Sequence, residues 1–197
     1  GEWFAMDHYD IVPDIMTLAK GIASSYIPFG AVAVSAEINA PFESGETHFI
    51  HGFTNGGHPL GCAAGSELID IIRDENLLEN CRKQSEVLFS YREQLLAHPT
   101  VRDVRGWGLM MVLELIKDKE SLDFFDSSLQ AEKLYSAITL KHGLVMYGSL
   151  YGPRRQAAFK RGLPSWISPP LTISSEEMHD LVGRLDNALS EWESIVL

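Results

Sequence analysis

Pro13-Asp14-Ile15-Met16-Thr17-Leu18-Ala19-Lys20-Gly21, continuing through Tyr26-Ile27-Pro28-Phe29-Gly30-Ala31, is the stretch from which the rest of the chain is read. Lys20 is the only Lys or Arg before Arg73, and it closes a largely apolar run. A lysine kept for solubility usually stands among other charges. An amine set in apolar surroundings can be held deprotonated and reactive, able to form a Schiff base with a carbonyl. The plainer reading of the same residue is an exposed lysine at a helix end.

Working outward, residues 11–23 read as a short helix or as a loop around a single turn, since Pro13 and Gly21 interrupt the apolar pattern. Gly30 to Ala36 is small and β-branched, the pattern of a strand covered on both faces. Pro41 to Thr47 reads as an exposed loop. His48 and His51 have a spacing that suits a metal on a helix, but Gly52 breaks that helix and no third ligand clusters with them. A strand or loop with locally bonded histidines is the better reading.

Thr54-Asn55-Gly56-Gly57-His58-Pro59 has turn chemistry leading into a helix, with Pro59 suited to the first turn. Amides and a hydroxyl ahead of a helix can receive an anion. The helix that follows is long, with Leu68, Ile71, Ile72, Leu78, Cys81, Leu88, Tyr91 and Leu95 as a core stripe, a possible break at Asp74-Glu75-Asn76, and an end near His98-Pro99.

Leu109 to Leu115 alternates as a strand with one apolar face, preceded by a turn or bulge at Gly106-x-Gly108. Ser127 with Gln130 opens a helix that Gly143 stops. Leu144 to Tyr147 is read as a short strand, and 148–163 as a long loop carrying Arg154, Arg155, Lys160 and Arg161. Trp166 to Ile173 returns as an edge strand or bend because of Pro169-Pro170. Ser174 and Glu177 then cap a last helix whose apolar face is Met178, Leu181, Val182, Leu185, Leu189 and Trp192.

Composition sets the bounds. The 197 residues are 45% hydrophobic, enough for a core, and the formal charge of -11 with a pI near 5.0 disfavours nonspecific nucleic-acid or anionic-membrane binding. The two cysteines, Cys62 and Cys81, read as buried thiols of a reducing compartment rather than a disulfide framework. No apolar run approaches the ~20 residues of a membrane span. A cytoplasmic setting is expected.

Three ordered motifs carry a resemblance. The run Pro13-Asp14 through Ala19-Lys20-Gly21 with Pro28-Phe29-Gly30-Ala31, the segment His51-Gly52-Phe53-Thr54 with His58-Pro59 and Cys62-Ala63-Ala64, and Ser168-Pro169-Pro170-Leu171-Thr172-Ile173 together resemble the class III (omega) aminotransferases. Proteins of that family are longer, and this chain is similar to their C-terminal portion.

The resemblance implies an α/β fold: the last part of a fold type I transferase large domain, followed by a small α+β domain. Its boundaries are expected at 1–65 for the cofactor-binding part, 66–99 for a linking helix and 100–197 for the small domain. It further implies pyridoxal 5′-phosphate as cofactor and Lys20 as the Schiff-base lysine. Thr54 is implied to reach the cofactor phosphate of a neighbouring subunit in a homodimer, and an arginine of the basic loop, Arg161, to bind a substrate carboxylate. The implied reaction is transfer of an amino group from an amine or omega-amino acid to a keto acid. The family's glycine-rich phosphate segment and Asp-Glu motif are not in this sequence, so the chain alone is expected to be inactive and to need that N-terminal part. The alternatives are an aminomutase or decarboxylase that shares the lysine, and a truncated or split chain that is no enzyme by itself.

Overall fold

A computed structural model of the protein describes residues 1–125, 128–146 and 162–197. The chain forms two units, Glu2–Leu78 and Glu79–Leu197, with Gly1 counted in the second.

In the N-terminal unit a short 3-10 helix, Ala5–Tyr9, precedes strand β1, Ile15–Ala19. A single 3-10 turn, Lys20–Ala23, follows, and strand β2, Gly30–Val34, pairs back on β1 antiparallel in the register Ile15 with Val34 to Ala19 with Gly30. The expectation of a helix or loop over residues 11–23 is therefore corrected to a strand ending in one turn. Five residues are too few to show a period, and the partner that makes Ile15–Ala19 a strand lies beyond a ten-residue connection. Helix α1, Ala36–Glu43, replaces the expected start of an exposed loop at Pro41. The Ser35 side chain accepts the Ile38 amide at 3.4 Å, and this cap starts a helix that Pro41 does not prevent.

The predicted long helix is three: α2, Pro59–Asp74; α3, Leu77–Ser90; and α4, Arg92–Ala97. The first interruption falls where Asp74-Glu75-Asn76 suggested, with Asn76 in the left-handed region at φ 54°. The stripe is core only in part. Cys81, Leu88 and Leu95 are buried, whereas Ile71 is 36% exposed and Cys62, read as buried, is exposed.

This difference runs through the whole N-terminal unit. Ala23 and Leu77 are its buried apolar side chains, while Val12, Ile50 and Tyr26 are about nine-tenths exposed. Strand β2 is open rather than covered on both faces. A two-stranded sheet without a buried face is marginal in water.

The C-terminal unit has a full core. Strands β3, Val101–Trp107; β4, Met110–Leu115; and β5, Leu163–Ile167 form an antiparallel sheet in that order. Val101–Trp107, not read as a strand from the sequence, is β3, and the turn expected at Gly106-x-Gly108 begins at Gly108. Trp107 pairs with Met110, so the loop is the two residues Gly108-Leu109, and Gly108 supplies the positive φ of 61° such a loop needs. Leu109, Met111, Leu113 and Leu115 are buried as their alternation required. Strand β5 begins and ends earlier than Trp166 to Ile173, because Pro164 is tolerated on the edge beside Glu114 while Ser168-Pro169-Pro170 leaves the sheet.

Helix α5, Ser128–Lys141, stops where expected. Gly143 takes φ 78°, its amide donates to the Leu140 carbonyl, and the Leu144 amide donates to Thr139, a closing pair that satisfies the last carbonyls. Leu144–Met146 is irregular, not strand, and Ser127 and Tyr147 lie outside the described residues. Helix α6, Ser175–Val196, has the predicted capping box: Ser174 accepts the Glu177 amide at 3.2 Å and its own amide donates to Glu177 at 2.8 Å. Its predicted face is buried, with Met178, Val182, Leu185, Leu189 and Trp192 fully enclosed.

Candidate active site

Lys20 stands immediately beyond the last pair of the β1–β2 ladder, Ala19 with Gly30. Ala19 is still extended, but Lys20 turns into the left-handed region at φ 54°. Glycine adopts that conformation at no steric cost, yet it falls on Lys20 and not on Gly21. For a side chain with a Cβ it costs about 1–2 kcal/mol, and strain of this kind collects where a side chain must be aimed. Lys20 is exposed, as in the plainer reading of the sequence, and not enclosed by the apolar run before it; among the described residues no carboxylate pairs with its ammonium.

Phe29 immediately precedes Gly30, the partner of Ala19 at the end of the ladder. Its ring lies in a seat made by two glycines one helical turn apart on α2. A Cβ at Gly61 would stand 2.8 Å from Phe29 Cδ2, and one at Gly65 would stand 3.1 Å from Phe29 Cε1 and 3.4 Å from the Ile22 carbonyl. Helix α2 thus packs on both the phenyl ring and the turn that carries Lys20. Sequence reasoning passed over this seat; the signal was the spacing Gly61-x-x-x-Gly65 at the start of a helix.

The same helix fixes Thr54. The Gly56 amide donates to the Phe53 carbonyl at 2.9 Å, closing a turn with Thr54 at its second position, and Pro59 opens α2 directly afterwards. Thr54 is exposed. No hydrogen bond joins Lys20 and Thr54. An open groove of about 1150 Å³ runs between Phe29, Phe42, Phe49, Phe53, His51 and His58, and neither Lys20 nor Thr54 lines it. His48-x-x-His51 is irregular, with Phe49 edge-on to His51. Arg154, Arg155, Lys160 and Arg161 lie outside the described residues.

The family model described as aminotransferase class III matches residues 1–189. The chain belongs to this family.

Among class III relatives, a putrescine–pyruvate aminotransferase of Pseudomonas aeruginosa is 34% identical over 198 residues, covering 100% of this chain and 40% of that protein. An aminotransferase of Gibberella zeae is 34% identical over 190 residues, covering 95% of this chain and 36% of its own length. Of solved structures, an (S)-enantioselective omega-transaminase from Thermomicrobium roseum superposes with a TM-score of 0.82 at 35% identity, over 97% of this chain and 40% of that one. The PMP-bound form of an aminotransferase from Vibrio fluvialis gives 0.83 at 28% identity, over 100% and 41%. The chain thus spans about 40% of the length of these relatives. Its mixed α/β architecture is that of part of a fold type I transaminase.

Proposed function

We propose that the chain contributes the lysine-bearing part of a pyridoxal 5′-phosphate-dependent transaminase that moves an amino group from an aliphatic amine or omega-amino acid to a keto acid. The observation that carries this reading is the unpaired, exposed amine of Lys20, aimed by a left-handed residue at the end of a strand. The donor and acceptor classes follow from the putrescine–pyruvate relative, and the cofactor from the PMP-bound neighbour, PMP being the amine form of pyridoxal phosphate.

When bound, the cofactor supplies an electron sink for the bonds at the substrate carbon. Lys20 has two tasks. Its amine holds the cofactor, and once released it takes a proton from the substrate carbon and returns it at cofactor C4′. The turn beneath it is backed by α2 through Ile22 and Gly65, so the long side chain swings from a fixed base.

Thr54 donates its hydroxyl to a phosphate oxygen in the site of a neighbouring subunit of a homodimer, the role that the class III family assigns to a threonine at this place in the motif. Arg161 is proposed to receive the carboxylate of the keto acid, for which a planar guanidinium suits better than an ammonium.

Borohydride reduction of the assembled enzyme followed by peptide mapping tests the central assignment. The pyridoxyl group is expected on Lys20, and label on a different lysine overturns it. Dependence of turnover on a keto-acid acceptor separates a transaminase from a decarboxylase or aminomutase.

A further inference from the structure

Far along the chain from Lys20, the C-terminal unit buries an ionisable cluster that the proposed chemistry does not use. His98 follows α4 directly and is 9% exposed. Its Nδ1 lies 2.8 Å from Glu193 Oε2 and its Nε2 lies 3.1 Å from Asp186 Oδ1, both carboxylates projecting from α6. Glu193 is itself 7% exposed, and its other oxygen accepts the Thr100 amide at 3.1 Å and the Thr100 hydroxyl at 2.6 Å.

With Asp186 and Glu193 both ionised, only one protonation state of the ring satisfies the arrangement. A neutral imidazole has one N–H and one lone pair, so with a carboxylate at each nitrogen one of the two anions would face a lone pair. The imidazolium donates to both. We propose that His98 is a proton-operated latch tying the second half of α6 to the Ala97–Thr100 connection, closed while the ring donates to Asp186 and Glu193 together and loosened when it loses its proton.

The groups around the ring set the direction. From α6 come the two carboxylates; from α4 the Gln94 amide donates to the same Asp186 oxygen at 3.0 Å; from the connection comes Thr100. After β4, the Lys119 ammonium donates to the carbonyls of Leu96 and His98 at 2.7 and 3.0 Å, a cation held on the backbone side. Hydrogen bonding to Glu193 raises the His98 pKa above the ordinary 6.5, more than burial lowers it. Burial pushes the Glu193 carboxyl up, but the bonds from His98 and Thr100 outweigh it and hold it below its usual range.

The sign follows. The folded state binds the His98 proton more tightly than the unfolded chain does. With the carboxylates ionised, the latch therefore contributes fully below about pH 6.5, fades as pH rises, and above the folded pKa keeps only the single bond a neutral ring can donate. What it releases is specific. Glu193 adjoins Trp192, whose Nε1 donates to the Ala131 carbonyl of α5 at 3.1 Å and whose ring packs 5.1 Å from Phe125 and 5.3 Å from Tyr135, centre to centre.

The test uses the 197-residue chain with nitrogen-labelled histidine. NMR across pH 5 to 9 is expected to show His98 titrating above 6.5, with both ring nitrogens protonated at the acid end. Hydrogen exchange of peptides covering 186–197, corrected for intrinsic rates, is expected to lose protection through the same interval, by up to about tenfold per pH unit. Glu193→Gln should move the His98 titration down and flatten the exchange profile, and His98→Gln should abolish the step. Titration of His98 at or below 6.5, or protection in the natural chain that is flat through its titration, overturns the latch. Should either variant fail to fold, these two measurements on the natural chain decide the question.

Discussion

Phe29 meets Gly61 so closely that a Cβ on the glycine would stand 2.8 Å from the ring, and this contact ties the strand pair that carries Lys20 to the helix that carries the Thr54 turn. The seat is shaped by what glycine lacks.

A series of glycine-to-alanine changes isolates that shape. Alanine gains about 1 kcal/mol over glycine in any helix interior. At Gly183, exposed on α6 with nothing within 4 Å of an added Cβ, the gain should appear whole as a raised Tm. At Gly61 overpacking against Phe29 costs about 1–3 kcal/mol and should exceed it. Gly65→Ala, with its nearest ring atom at 3.1 Å, should fall between the two. Differential scanning calorimetry ranks them, and equal effects at 61 and 183 would remove the seat.

Thr54→Ala removes a hydroxyl proposed to bond a charged phosphate. Such a bond contributes about 1.5–3 kcal/mol, so cofactor dissociation from the assembled enzyme should weaken by about tenfold to a hundredfold. Equilibrium dialysis of pyridoxal 5′-phosphate measures it. Unchanged affinity would take Thr54 out of the site.

Arg161→Ala should raise the KM for pyruvate and spare an aldehyde acceptor that carries no carboxylate. Steady-state kinetics with the two acceptors side by side read the difference. Equal effects would end the assignment and turn attention to Arg154 and Arg155.

Tyr135 and Ser165 bond at 2.8 Å inside the C-terminal unit, joining α5 to β5. Burial pushes the Tyr135 hydroxyl far above the usual phenol range, and the bond to Ser165 opposes this only in part. Tyr135→Phe leaves a fully buried serine hydroxyl without its partner and should cost about 1–3 kcal/mol in chemical denaturation. Adding Ser165→Ala should recover most of the loss, because the double change leaves no orphaned polar group. A double mutant as unstable as the sum of its parts would show that the bond is not the source.

What the sequence by itself determined is what neighbouring residues decide among themselves. The capping box of Ser174 and Glu177, the buried face of α6, the glycine stop of α5, the break at Asp74 to Asn76 and the turn ahead of Pro59 each need only residues within a few positions of one another. The three motifs that resemble class III aminotransferases are local in the same way. Tertiary structure decided the rest, because the determining partner was distant. Ile15–Ala19 is a strand because residues 30–34 pair with it, and β5 begins at Leu163 because Leu115 is there to receive it. His98 is held by carboxylates 88 and 95 residues away. The left-handed turn at Lys20 stands where two distant contacts meet: Ala19 is held in the ladder by Gly30, and Ile22 lies against Gly65 of α2, so the chain must change direction between them.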